Sequence, residues 1–196
     1  MPGQAKTRMI PLLGNAGAAD LQRQMTEHLL NRLHTLPELT LQIHITGGSL
    51  QQMSSWLGDD FALVSQSQGG LGDRLSAALC QGFASGLRHI LVIGSDCPDL
   101  GEAEITQAIA HLQTHDVVLG PATDGGYYLL GLNQLHTALF EGIPWGSDRV
   151  LSSTQAIAHQ QNLSVALLNP LPDIDRPEDI HLWDKARARS VAEKHH

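Results

Sequence analysis

The stretch IGSDCPDL (93–100) places two carboxylates, Asp96 and Asp99, around Cys97 and Pro98, directly after the apolar run HILVIGS (89–95). Other short stretches carry similar groups. SQGGLGDRL (67–75) follows FALVSQ, TDGGYY (123–128) follows DVVLGPA, and PLPDIDRPEDI (170–180) follows LSVALLN. Carboxylates that converge from separate segments repel one another unless a positive group sits among them. A hard divalent cation, Mg²⁺ or Mn²⁺, suits this chemistry. It takes one or two carboxylates together with the phosphate oxygens of a substrate. Asp96 and Asp175 are the first-choice ligands. Asp99 stands just before GEAEI and reads as a helix cap, the position Asp favours. Asp96 lies too far from that helix to cap it well, and Pro98 holds the intervening turn rigid.

Positive counterparts come from PGQAKTRM (2–9), where Lys6 and Arg8 precede the first helical pattern and no acid occurs before Asp20. Lys, Arg and main-chain N–H groups of such a loop can hold a diphosphate; two basic residues near a terminus can also be merely solvated. The pair Gly69–Gly70 lets the backbone approach a ligand. Gln66 could read a base edge through its amide, and Asp73 lies in the same turn; an ordinary strand-to-helix turn would look alike. Asp124, Gly125, Gly126 and Tyr127 form a costly sequence for a plain turn, which marks them as a substrate-facing candidate. Trp145, in IPWGSDRV, either stacks on a sugar or base or plugs the core.

Elements that could position these groups alternate along the chain. Helical spacing covers 15–36, 50–58, 72–87, 102–115, 147–162 (with Ser147 as its N-cap) and 176–190. Strand patterns cover 39–48, 61–66, 89–95, 116–122, 127–133 and 163–169. The apolar run 89–95 predicts a central strand covered on both faces. Alternation of this kind predicts a single α/β domain over 1–196 with a mostly parallel sheet. In open sheets of this class ligands bind beyond the carboxyl ends of the strands, which is where the candidate residues fall.

Composition narrows the partners. A formal net charge of -8 argues against nucleic acid and anionic membranes as broad electrostatic partners. No apolar run approaches the roughly 20 residues that span a bilayer. Two cysteines, Cys80 and Cys97, form no CxxC pair or spaced framework, so a reducing, cytoplasmic setting is expected. Most histidines are scattered, and no HExxH spacing occurs.

PGQAKTRM, GGLGDRL, GSDCPDL, DVVLGPATDGGYYLLGL, GIPWGSDRVL and DIDRPEDI, in this order, resemble a family of bacterial GT-A-fold proteins. That family is nucleotide-diphosphosugar transferase-like, and some members are arsenosugar-biosynthesis-type glycosyltransferases. The resemblance runs from residue 2 to about residue 183. It implies a Rossmann-like, three-layer GT-A domain that binds a nucleotide through its N-terminal half. Asp96 would take the part of the superfamily's metal-binding acid. Asp175 matches the second metal ligand in the DIDTPEDL segment of related nucleotidyltransferases, and Lys6 and Arg8 match their phosphate loop. Family members carry an apolar strand before the P-G-x-x-K-T-R loop. Here the loop begins at Pro2, so that strand is expected to be absent, or supplied from upstream or by a partner chain. A second departure is PWGSDRV, where relatives often have Ser directly after Trp.

Three functions are compatible with these residues. The first is a metal-dependent glycosyltransferase using a nucleotide-diphosphate sugar and a small-molecule acceptor, with Asp124 as a candidate base. The second is a nucleotidyltransferase that consumes a nucleoside triphosphate and releases pyrophosphate. The third is a non-catalytic module held together by self-association, a homo-oligomer.

Overall fold

The structure is a computed structural model that describes residue 3 and residues 5–36 and 39–193. Pro2 and Gln4 of the basic loop lie outside the described residues. A 3-10 turn, Thr7–Met9, leads into α1 (Ile10–Leu33). Pro11 sits in its first turn, where a missing N–H costs nothing. Gly14 breaks the helix with φ 69°, so the long helical pattern starts earlier than 15 and is kinked. Beyond the kink, Ala18, Leu21, Met25, Leu29 and Leu33 recur every three or four residues and form one buried stripe.

Next come β1 (Gln42–Ile45), α2 (Leu50–Leu57), β2 (Ala62–Ser65), α3 (Leu71–Ala84) and β3 (Ile90–Ile93). They are followed by α4 (Glu102–His111), β4 (Val117–Pro121), β5 (Tyr127–Leu132), α5 (Val150–Gln160), β6 (Val165–Leu167) and α6 (Ile180–Glu193). Among the described residues the strands form two separate sheets. β1 and β2 pair in parallel; the other sheet has the order β3-β5-β4-β6. β4 and β6 are parallel, and β5 runs against both of its neighbours. The α/β class and the Rossmann-like layering hold, with β5 as the reversed strand.

One expectation is corrected by this topology. β3 is not central: it is the edge of its sheet, and Ile90, Leu91, Val92 and Ile93 are all only half-buried. The fully buried strand is β4, from Val117 to Pro121. Other boundaries shift for local reasons. Ser147 does not cap α5; its hydroxyl donates to Pro144 O, and the helix begins three residues later. Asp99 does not cap α4. Gly101 N donates to Glu104 Oε2 at 3.0 Å instead, and Asp99 pairs with Arg189 of α6.

Three apolar clusters hold the layers. One joins α1, α4, β4 and β5 through Leu29, Leu33, Leu100, Leu112, Val118 and Leu129. A second sits on the opposite face under α3 and α5, around Leu79, Leu119, Leu130 and Leu132. The third packs α1 on α6 through Met25, Ile174 and Trp183. Burying each such side chain contributes roughly 1.5–3 kcal/mol. Among the described residues no helix is long and apolar enough to cross a membrane.

Candidate functional site

Three chain segments meet beyond the carboxyl end of β3. The first is the turn after β3. Gly94 N donates to Tyr128 O at 3.0 Å, which anchors the strand end on β5. Asp96 O then accepts from Ile174 N at 2.9 Å, so the DIDRPED segment is tied directly to the Asp96 turn. The second segment is the N-terminal loop. Lys6 takes a left-handed backbone, φ 49°, and its side chain is only 4% exposed. Its ammonium lies 3.0 Å from Asp96 Oδ2 and 4.0 Å from Asp175 Oδ1, and it donates to Ile174 O. Arg8 reaches Asp175 from the solvent side.

The third segment is DIDRPED itself. Asp179 Oδ2 accepts from Asp175 N at 3.1 Å and from Arg176 N at 2.8 Å. That caps the 3-10 turn Pro177–Asp179 before α6 and fixes the direction of Asp175. Asp173 is half-buried; burial, then the neighbouring Asp124 carboxylate, push its pKa up from its ordinary value.

Beside this junction a cleft of about 400 Å³ opens. Its lining includes Arg8, Asp124, Asp148, Asp173, Asp175 and Arg176. The β4–β5 turn builds one wall. Asp124 Oδ1 accepts from Gly126 N at 2.8 Å, and Gly125 has φ 91°. A Cβ on Gly125 would lie 2.2 Å from Asp148 O, so the loop carrying Asp148 can close against the turn only because this residue is glycine.

Other candidates are placed elsewhere. Tyr127 and Trp145 meet edge to face, with ring centroids 6.4 Å apart, and both pack on the cluster under α3. Burial pushes the Tyr127 hydroxyl up to about 12. Gly72 makes room for the indole: a Cβ there would lie 2.7 Å from Trp145 Nε1. Trp145 therefore occupies the core position of the two considered, while Gly146, Ser147 and Asp148 after it line the cleft. Gln66 spends its amide internally, donating to His44 O at 3.3 Å and accepting from Arg74 at 3.4 Å. Asp73 accepts from Gly70 N at 2.9 Å and closes the first turn of α3, with Gly69 at φ 108°. Cys97 is 2% exposed in the core, and burial raises its thiol pKa strongly, so it stays a neutral thiol.

Asp148, Arg176 and Asp179 join the site without having been singled out from the sequence. The signal for the last two lay inside DIDRPED itself. Nothing in GSDRV marked Asp148 apart from an ordinary helix start.

The donor set is carboxylate oxygen, the ligand type that hard cations take. Two carboxylates from different segments already converge on a buried positive charge, the Lys6 ammonium, and acids outnumber bases around the cleft. Among the described residues no group of three or more His, Cys, Asp or Glu side chains is arranged to hold a metal alone.

Comparisons with known proteins bear on the family and the fold. Residues 29–147 match the family described as "Uncharacterized protein conserved in bacteria (DUF2064)". A crystal structure of a provisionally assigned nucleotide-diphospho-sugar transferase from Desulfovibrio desulfuricans G20 is 32% identical, with a TM-score of 0.84. The match covers 90% of this chain and 78% of that one. CMP:2-keto-3-deoxy-manno-octonic acid synthetase complexed with CTP shares the fold at 11% identity, with a TM-score of 0.58 and coverage of 86% and 88%. So does 4-diphosphocytidyl-2C-methyl-D-erythritol synthase from Anaerococcus prevotii DSM 20548, at 13% identity, a TM-score of 0.59 and coverage of 85% and 86%. No curated protein matches the chain. With the basic loop, the Asp96 turn and DIDRPED drawn together beside one cleft, the chain belongs to the bacterial DUF2064 family and has the GT-A-type fold of nucleotide-diphosphosugar transferase-like proteins.

Proposed function

We propose that the chain is a metal-dependent glycosyltransferase that takes a nucleotide-diphosphate sugar and a small-molecule acceptor. The observation that carries this reading is the meeting of Asp96 and Asp175 on one buried cation at the edge of an acid-lined cleft. Asp96 and Asp175 would hold Mg²⁺ or Mn²⁺, which supplies charge neutralisation for a leaving diphosphate. Lys6 and Arg8 bind the remaining phosphate oxygens. Asp124, fixed by its bond from Gly126 N, faces the cleft where an acceptor hydroxyl would lie, and accepts its proton.

A second reading, nucleotidyl transfer with release of pyrophosphate, has its own support. Two fold neighbours are, by their names, a CMP-sugar synthetase complexed with CTP and a diphosphocytidyl-erythritol synthase. Product analysis separates the two. The chain is incubated with Mn²⁺ and a panel of nucleotide sugars, or with nucleoside triphosphates plus sugar phosphates. Release of nucleoside diphosphate from a nucleotide sugar, lost in Asp96→Ala, is the expected result. Pyrophosphate release alone would replace the first reading by the second.

A further inference from the structure

Lys6 is an odd phosphate ligand as it stands. Its ammonium does not face open solvent: the side chain is 4% exposed, and its donors go to Asp96 Oδ2, Ile174 O and the vicinity of Asp175 Oδ1. Asp96, by contrast, is 47% exposed and Asp175 30%. Both carboxylates therefore keep solvent-exposed surface while the ammonium they share is enclosed; Arg8 also holds Asp175. The backbone is recruited as well. Lys6 is one of only two non-glycine residues with positive φ among the described residues, a conformation that side chains other than glycine's disfavour. A strained residue that delivers its side chain to a cluster of acids has a job there.

An ammonium and a divalent cation cannot both sit within contact distance of the same carboxylate oxygens without strong repulsion. We infer that Lys6 is a resident counter-ion: it holds the divalent position in the nucleotide-free protein and gives it up when metal and diphosphate arrive together, moving its charge onto the diphosphate. This rests on the metal site proposed above. The exchange makes free divalent cation a weak ligand, because binding it alone would strand a buried ammonium without its anion. The diphosphate removes that obstacle by offering Lys6 a new partner. Metal and diphosphate then bind with positive coupling, and by linkage each strengthens the other equally. The protein avoids locking a metal into an empty site.

Mn²⁺ affinity of the full chain, measured by calorimetry and by electron paramagnetic resonance without nucleotide, tests this. Lys6→Met, of similar length and without charge, is expected to bind Mn²⁺ at least tenfold more tightly than wild type. Inorganic pyrophosphate, a probe independent of the base, is expected to strengthen Mn²⁺ binding strongly in wild type and much less in the variant. Should Lys6→Met fail to fold, Lys6→Gln, whose amide can still donate to Ile174 O, makes the same comparison. Equal or weaker Mn²⁺ affinity in the folded variant, with wild type binding Mn²⁺ in the presence of pyrophosphate, overturns the counter-ion role and leaves the metal site standing. Absence of Mn²⁺ binding in every form, with and without pyrophosphate, overturns the metal reading and this inference with it.

Discussion

β3 and β4 read alike in the sequence, as short unbroken apolar strands, yet the structure treats them differently. Val117 to Pro121 of β4 are all buried, with β5 on one side and β6 on the other. Ile90 to Ile93 of β3 are half-buried, with β5 on one side and no strand on the other among the described residues. The β1–β2 pair is similarly open: only Ile45 of β1 is buried. Continuous hydrophobicity shows that a strand wants covering; it does not say how many neighbours supply the cover. The difference also sorts function. The buried β4 leads into the turn with Asp124, whereas Asp96 follows the half-buried edge strand of the same sheet and is held by Lys6 and Ile174.

This contrast can be broken at several points. Leu130→Ala, in β5 between two flanking strands, should cost about 2–5 kcal/mol, as buried Leu truncations do; Leu130 is 1% exposed. Ile43→Ala in β1 should cost less than half as much in the same denaturant titration. Equal losses would mean that the two sheets form one cooperative unit of even stability. Hydrogen exchange gives the same comparison without mutation, with β4 and β5 amides slower than those of β1.

Glycine substitutions sharpen it nearer the site. Gly125→Ala meets both a positive φ and the Asp148 backbone, and should cost about 1–3 kcal/mol while disturbing the cleft. Gly94→Ala, at the end of β3 with nothing within 4 Å, should be close to neutral. Thermal melts of the two variants would decide. Cys97→Ser puts a hydroxyl into the core and should lower stability by roughly 1–3 kcal/mol. Nucleotide binding per folded molecule should stay unchanged, since a hard-cation site does not need a thiol.

The smallest effect concerns pH. Ser164 bonds through its hydroxyl and its N–H to Asp116, tying the entry of β6 to that of β4. These bonds hold the Asp116 pKa below the usual carboxylate value. Their stabilisation is thus present above the unfolded-state pKa and lost as pH falls through the lower folded-state pKa. Asp116→Asn should be less stable than wild type near neutrality and converge with it in acid. A constant difference across that range would contradict the assignment.

Much of the candidate site is legible in the sequence because groups able to do chemistry concentrate in short polar stretches after apolar ones. Asp96, Asp124 and Asp175, and the basic Lys6 and Arg8, stand out from their neighbours by type alone. Residues that act through geometry were harder to read. Asp179 works by capping a turn, Asp148 by lying against a glycine that has no Cβ, and Gln66 turned inward to His44 and Arg74. The reversed direction of β5 was equally hidden. Its apolar residues would suit either orientation, and only the tight Asp124–Gly126 turn from β4 makes the antiparallel return natural. Ser147 misled because a hydroxyl before a helix pattern can bond backward to Pro144 as easily as forward.

The central claim is that Asp96 and Asp175 form a metal-dependent nucleotide site. Its most direct test is the affinity of nucleotide sugars and nucleoside diphosphates for the chain, measured with Mn²⁺ and with chelator, in wild type, Asp96→Ala and Asp175→Ala. The account predicts binding that needs Mn²⁺ and falls at least a hundredfold in either folded variant, about 2.7 kcal/mol or more. Binding that ignores the chelator, or survives in Asp96→Ala, would contradict it.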